Sequence, residues 1–163
     1  MEITLKIFAL YIAMLLTGLS AGLFFAWQVS VIPGTRLVQD STYIETMQKI
    51  NRAIINPPFM LVFLGSAAVQ ILCVILYWNS GISFWFILAA ALAYGAGTVL
   101  VTGLGNVPLN DSLDALPLVD LNEEKIATER HDYETPWNRL HLIRTAFSVV
   151  SFMLLLVAAL LNS

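Results

Sequence analysis

Four long apolar stretches dominate this chain and restrict what it can fold into. Each contains about 20 residues or more, which is the length that an α-helix needs to cross the hydrocarbon core of a bilayer. They cover residues Phe8–Val31, Phe59–Trp78, Ile82–Leu104 and Leu142–Leu161. Charged residues are almost absent inside them. The pattern therefore predicts an integral membrane protein whose single domain, residues 1–163, is an all-α antiparallel four-helix bundle.

The composition supports this prediction. Apolar residues make up 58% of the chain and charged residues 12%, whereas soluble proteins average about 45–50% and about 25%. The net charge of −3 and the lack of a basic cluster argue against nucleic-acid binding. Lys6 and the sequence Leu19-Ser20-Ala21 are features of a cleaved signal, but the apolar run continues through Trp27. We therefore expect a retained membrane helix. The single cysteine, Cys73, excludes an internal disulfide.

The distribution of lysine and arginine predicts the orientation in the membrane. Only Lys6 lies on the side of the termini. The other cations lie in or beside the two long connections: Arg36, Lys49, Arg52, Lys125, Arg130, Arg139 and Arg144. By the positive-inside rule, both long connections are expected in the cytoplasm and both termini on the outer side.

The two long connections are expected to be partly helical. Residues 40–55 are amphipathic, with apolar residues at helical spacing, which favours a short helix that lies on the membrane surface or caps the bundle. In the third connection, approximately residues 105–136, Asn122 predicts the start of a short helix over 123–133. Thr135 and Pro136 have the residue types of an N-cap and a first helical position, so the fourth membrane helix is expected to begin there.

Polar residues form stripes on the last two membrane helices. On the fourth helix, one face carries Trp137, His141, Arg144, Ser148 and Ser151. On the third, residues at every fourth position are Thr98, Thr102, Asn106 and Asn110, although Pro108 argues against an unbroken helix. Together with Gln28 and Asn56, the ends of these stripes are expected to meet at the cytoplasmic end of the bundle. Polar groups at such positions are costly and usually functional.

Each of these residues also has a simpler interpretation. Arg144 can extend its charge to the membrane interface, Trp137 can be an interfacial anchor, and His141 can be an exposed histidine. Threonines such as Thr98 most often bind the backbone of their own helix. No metal is expected, because the spacing of His131 and its acidic neighbours matches no metal-binding motif.

Two helices carry small residues at a spacing that lets another helix approach closely. These are Gly18 and Gly22 on the first helix and Ala93 and Gly97 on the third. Such faces serve packing within the bundle, association with a partner protein, or a homo-oligomer.

Four groups of residues together are typical of one family. They are Gly18, Gly22, Gln28 and Pro33 in the first helix, Asn56-Pro57 before the second, residues 105–110 (GNVPLN) after the third, and residues 137–145 (WNRLHLIRT) at the entry of the fourth. With these residues the chain resembles, over nearly its full length, the anthrone oxygenase-like family of small four-helix membrane proteins. The last two segments are the more specific part of the resemblance.

The resemblance implies a function. Some fungal members of the family are similar to enzymes that oxidise anthrones to anthraquinones with molecular oxygen, and membership implies no metal or organic cofactor. The first hypothesis is therefore a membrane-embedded oxygenase that acts on a lipophilic aromatic molecule such as an anthrone. His141 would be the general base and Arg144 would stabilise the oxyanion. The expected substrate-binding residues are Trp137, Asn106, Asn110, Gln28 and Asn56.

The alternative hypothesis is a non-catalytic small membrane subunit. It would pack against a partner through the small-residue faces that contain Gly18 and Gly97. A ligand-filled pocket between the helices at the cytoplasmic end would favour the first hypothesis. A bundle that is sealed there, with its small-residue faces turned toward a second chain, would favour the second.

Overall fold

Five helices contain most of residues 4–162, which are the residues that the structure, a computed structural model, describes. They are α1 (Leu5–Thr35), α2 (Asp40–Ala53), α3 (Pro57–Leu76), α4 (Ile82–Asp114) and α5 (Glu123–Leu160). All except α2 are long and apolar enough to cross a membrane. The predicted all-α bundle of four membrane helices, with a short helix in the first connection, is confirmed, and the chain is an integral membrane protein.

The four long helices form an antiparallel bundle. Helix α1 packs against α3 and α5, while α4 packs against α3 and α5 from the other side. Helices α3 and α4 are joined by a tight turn in which Gly81 adopts φ of 59°, a conformation that glycine tolerates best. Near this turn, Lys6 of α1 donates a hydrogen bond to Ser80, and its Nζ lies 4.4 Å from the ring centre of Tyr77. These contacts connect the start of α1 to the hairpin formed by α3 and α4.

Polar side chains connect the helices in the middle of the bundle. Gln70 Nε2 on α3 donates to Thr17 Oγ1 on α1 at 2.8 Å. Ser151 Oγ on α5 lies 3.3 Å from Gln70 Oε1 and donates to the Ala90 carbonyl at 2.9 Å. Gln70 is fully buried, so its amide holds three helices together where water cannot replace its hydrogen bonds.

Small residues mediate close contacts within the chain. A Cβ added to Gly97 would lie 2.0 Å from Phe147 Cγ, and one added to Gly18 would lie 3.0 Å from the ring of Phe152. Both phenylalanines belong to α5. Gly22 has no atom within 4 Å of such a Cβ. Gly18 and Gly97 therefore serve packing inside the bundle, and an oligomer through these faces stays a prediction.

Helices α4 and α5 are longer than the sequence suggested. Helix α4 continues about ten residues beyond Leu104, so the connection to α5 spans only residues 115–122 and contains one 3₁₀ turn, Leu118–Asp120. The expected start at Asn122 is confirmed, because its Oδ1 accepts from Lys125 N at 2.9 Å. The expected second start at Thr135 is wrong, since the helix continues through Pro136. The carbonyl four residues before Pro136 belongs to an exposed residue, so water can replace the missing hydrogen bond.

Helices α1 and α4 contain π-helical segments on the N-terminal side of a proline. In α1 this segment is Trp27–Val31, and in α4 the segments are Ala93–Leu100 and Thr102–Asn106. The wider π turn moves the carbonyl of residue i−4 away from the ring of Pro33 or Pro108, where an α-helical turn would clash. This geometry explains why Pro108 does not break α4, contrary to the doubt raised by the sequence.

Helix α2 caps one end of the bundle. Its residues Tyr43, Ile44 and Met47 are buried against the ends of the long helices, in a cluster completed by Ile32, Leu113, Tyr133 and Trp137. Gln48 Nε2 donates to the Leu113 carbonyl at 2.8 Å. Arg130 of α5 donates to Asp40 and to Glu134, both at 2.8 Å. Of the two predicted placements for this helix, the cap over the bundle is the one found.

Candidate functional site

A buried arginine lies at the centre of the capped end. Arg144 on α5 is only 8% exposed. Its guanidinium carbon lies 4.6 Å from the ring centre of Phe24 and 5.1 Å from that of Trp137. Every ion pair among residues 4–162 involves other cations, so no described carboxylate neutralises this charge. A buried cation without an acidic partner is costly and marks a candidate site for an anion.

His141 is the hydrogen-bond partner of this arginine. Arg144 Nε lies 3.1 Å and Nη2 2.8 Å from His141 Nδ1. Because an arginine has only donors, His141 Nδ1 is the acceptor and the ring proton is on Nε2. That nitrogen donates to the carbonyl oxygen of Phe24 at 3.0 Å. The arrangement fixes a neutral imidazole whose lone pair points at the guanidinium.

Aromatic rings enclose the pair. The Trp137 ring stacks on His141 with centres 5.1 Å apart and planes 7° from parallel. Phe24 meets His141 edge-on at 5.9 Å, and Trp27 lies 6.5 Å from it. The site therefore combines one cation and one imidazole with flat apolar walls, which suits a planar aromatic anion.

The polar stripe of α4 faces the same site. Thr102 Oγ1 lies 3.4 Å from Arg144 Nη1, and Thr98 Oγ1 donates to the Arg144 carbonyl at 3.3 Å. Asn106 Nδ2 donates to the Trp137 carbonyl at 3.3 Å. Asn106 is fully buried, and its Oδ1 has no hydrogen-bond partner. Thr98 thus binds another helix, whereas Thr102 also donates to its own helix at the Thr98 carbonyl.

Asn110 holds the tryptophan in place. Its Oδ1 accepts from Trp137 Nε1 at 2.8 Å and from the hydroxyl of Tyr133 at 3.0 Å. Tyr133 in turn accepts from Asn51 Nδ2 of α2 at 3.3 Å. This chain of hydrogen bonds links the cap to the wall of the site.

The structure brings together five of the seven residues that the sequence singled out: Arg144, His141, Trp137, Asn106 and Asn110. The simpler interpretations are wrong for Trp137, His141 and Arg144, because these side chains are 3%, 0% and 8% exposed. They face the interior, so neither an interfacial anchor nor an extended surface arginine describes them.

Gln28 and Asn56 do not join this group. Asn56 caps α3, accepting from Phe59 N at 2.9 Å and donating to the Ala53 carbonyl at 2.8 Å. Gln28 lines a separate cleft beside α5. Both residues lie near helix ends at the same end of the bundle as the site, but the side chain of Asn56 is used for the cap and that of Gln28 lines the cleft.

Three aromatic residues of the site were missed by the sequence reasoning. Tyr133 lies one turn before Trp137 on the same face of α5, so extending the polar stripe by one turn would have found it. Phe24 and Trp27 carry no polar signal, and only the packing of α1 against α5 shows that they face the arginine.

The residues considered for a metal lie apart from this site. Among the described residues, histidine, cysteine, aspartate and glutamate side chains form no group of three that could hold a metal ion. His131 and Asp132 are exposed, and Glu134 binds Arg130.

Comparison with known proteins identifies a family. The model of the anthrone oxygenase family matches residues 47–154, well over half of the chain. The chain therefore belongs to this family. The match includes Asn106, Asn110, Trp137, His141 and Arg144. Comparisons with curated proteins and with solved structures give no match.

Proposed function

We propose that this member of the anthrone oxygenase family is a membrane-embedded oxygenase that acts on a lipophilic aromatic molecule with an acidic CH group, such as an anthrone. The observation that carries the proposal is the buried guanidinium of Arg144, which has no acidic partner among the described residues and contacts two aromatic rings. Such a group suits the oxyanion that forms when an anthrone loses a proton.

The overall reaction needs only oxygen as co-substrate. Loss of a proton from the CH₂ group of an anthrone gives an enolate whose charge resides mainly on oxygen. The enolate reduces O₂ and forms a hydroperoxide at that carbon, which then loses water to leave a second ketone. One anthrone and one O₂ thus give one anthraquinone and one H₂O. The first step is the one that a cation and a base accelerate.

Arg144 and His141 have complementary roles in this first step, as oxyanion partner and as base. While Arg144 donates to His141 Nδ1, the imidazole has no free lone pair for a proton. A substrate oxygen that draws the guanidinium toward itself releases Nδ1, which then accepts the proton from the CH group. Base and oxyanion partner are therefore activated together. Asn106 also has a buried oxygen without a partner, and its Nδ2 would become a donor for the oxyanion by giving up its hydrogen bond to the Trp137 carbonyl.

The aromatic walls select the substrate. Trp137 and Phe24 both lie against the charged pair, so they supply the flat apolar surfaces that a planar ring system would contact once its oxygen takes the place of His141 at the guanidinium. Asn110 keeps Trp137 in position. The positions of lysine and arginine along the chain support a cytoplasmic location for this end of the bundle.

Turnover of an anthrone by the purified protein in detergent tests the proposal, with quinone absorbance and oxygen uptake as readouts. Arg144→Lys keeps the charge but loses the planar fork, and the rate should fall roughly a hundredfold or more. His141→Asn retains an acceptor for Arg144 but cannot take up a proton, and the rate should fall by at least about a hundredfold. Arg52→Lys is the matched control, because Arg52 lies in an exposed pair with Asp114.

His141 is fully buried, so its replacement can disturb folding as well as turnover. Gel filtration and thermal unfolding in detergent must therefore show that each variant is folded. Folded variants of Arg144 and His141 that turn over the anthrone at the rate of Arg52→Lys would remove both residues from the mechanism.

A further inference from the structure

A cleft of about 430 Å³ lies on the flank of α5, next to the face that carries the buried arginine. Gln28 of α1, Arg36 at the end of α1, and Asn138 and Arg139 of α5 line it. Trp27 faces His141, whereas its neighbour Gln28 lines the cleft. The two sites are therefore separate.

The cleft has an excess of positive charge. The side chains of Arg36 and Arg139 form no ion pair or hydrogen bond with the described residues, whereas those of Arg52 and Arg130 are both paired with acids. One acid, Glu134, also lines the cleft. Its carboxylate is bound to Arg130 at 2.8 Å, with both side chains largely buried. Arg130 is shared with Asp40, so Glu134 is only partly neutralised, and the two arginines of the cleft still outweigh its charge.

The cleft also contains an unused polar group. Gln28 Oε1 is buried without a hydrogen-bond partner. Gln28 lines the same cleft as Arg36 and Arg139, so its NH₂ group and the two guanidinium groups are the donors available to an anion bound there. Guanidinium forks match the geometry of phosphate oxygens.

Exposed apolar side chains accompany the donors of the cleft. Leu142 lines the cleft and is 54% exposed, and Phe25 and Val29, close to Gln28 along α1, are 54% and 53% exposed. Donors at the helix ends beside exposed apolar side chains fit an amphiphile that has an anionic head and an acyl chain.

We propose that this cleft binds a phosphate-ester anion, which Arg36 and Arg139 hold between α1 and α5 and which the headgroup of an anionic phospholipid supplies. A basic side chain near an anionic lipid surface contributes favourable electrostatic free energy to lipid binding. The loss of two such side chains should weaken that binding roughly 30-fold.

Native mass spectrometry of the full chain in detergent, with added phosphatidylglycerol or phosphatidylcholine, tests this site. The wild type should retain phosphatidylglycerol in preference to phosphatidylcholine. The double variant Arg36→Gln with Arg139→Gln should lose roughly 30-fold in affinity for phosphatidylglycerol. Arg52→Gln, which removes an exposed arginine outside the cleft, should bind as the wild type does. Gln28→Glu keeps both arginines, and its negative charge should also weaken binding.

Competition by inorganic phosphate and glycerol phosphate distinguishes the sources of the anion. Retained lipid that neither compound displaces assigns the site to the phospholipid. Displacement, or binding of the soluble phosphates alone, assigns it to a free phosphate ester. If the double variant retains phosphatidylglycerol as the wild type does, or if all variants bind both lipids and both phosphates equally, the proposed site is refuted.

Discussion

Replacement of Gly97 by alanine should destabilise the bundle strongly. The added Cβ would lie 2.0 Å from Phe147 Cγ and 2.4 Å from Phe147 Cβ, whereas carbon atoms in contact normally stay about 3.5–4.0 Å apart. Rotation of the phenylalanine ring cannot relieve the contact with its Cβ, which is fixed to the backbone. Helices α4 and α5 must therefore move apart, or one of them must shift along the other.

The expected size of the effect follows from two opposing terms. Overpacking of a well-packed contact costs up to about 3 kcal/mol, and the backbone-proximal clash places Gly97→Ala at that upper end. Alanine is better than glycine in a helix by about 1 kcal/mol. The net loss should be about 2 kcal/mol. Because Thr98 binds the Arg144 carbonyl, the same movement should also reduce turnover.

Gly22→Ala is the matched control, since no atom lies within 4 Å of its added Cβ. Reversible unfolding in mixed micelles with an increasing fraction of sodium dodecyl sulfate, followed by circular dichroism, gives both free energies. Adding Phe147→Ala to Gly97→Ala should restore only part of the stability, because the Cβ of residue 147 remains. Equal unfolding free energies for Gly97→Ala and Gly22→Ala would refute the packing of α4 against α5 described above.

Two further predictions concern the middle of the bundle and its orientation. Gln70→Leu should lower the unfolding free energy in the same assay by about 1–2 kcal/mol, because the hydrogen bonds to Thr17 and Ser151 are lost. An unchanged unfolding free energy would mean that these hydrogen bonds make no net contribution to stability. Orientation can be tested in a Cys73→Ala background, since alanine places no polar group at that fully buried position. An impermeant maleimide added to intact cells should label Asn162→Cys and not Gln39→Cys. The opposite labelling would invert the predicted topology.

Much of the fold follows from two signals in the sequence. The length of the apolar stretches gives the four membrane helices, and the amphipathic pattern of residues 40–55 gives the cap. Within the site, the spacing of Trp137, His141 and Arg144 places them on one face, as the structure has them. Spacing along a single helix is enough for this part, because all three residues belong to α5.

The helix boundaries were less predictable, for a local reason. Thr135 and Pro136 have the residue types of a helix start, yet proline is also accepted inside a helix where water can reach the freed carbonyl. The sequence alone does not distinguish these cases. Asn56 illustrates the converse: the Asn-Pro pair before α3 is a helix start, and the asparagine side chain is used for the cap instead of the site.

The facing of α1 could not be deduced because of its π-helical segment. A π turn contains an extra residue, so it rotates every following side chain relative to those before it. Gln28 lies within such a turn and lines the outer cleft, while Phe24 contacts Arg144. The place of Gln28 near the end of α1 predicts its level in the bundle but not the surface that it faces.

The cap determines the electrostatic environment of the candidate site. Arg130 fastens α5 to Asp40 at the start of α2, and the hydrogen bonds from Asn51 through Tyr133 to Asn110 continue to Trp137. These contacts cover the end of the bundle, and Arg144 is left 8% exposed. Where water is excluded, a guanidinium attracts an anion far more strongly than it does in solution. Helix α2 contributes no residue of the charged pair, but by excluding water it would strengthen the hold of Arg144 on the proposed oxyanion.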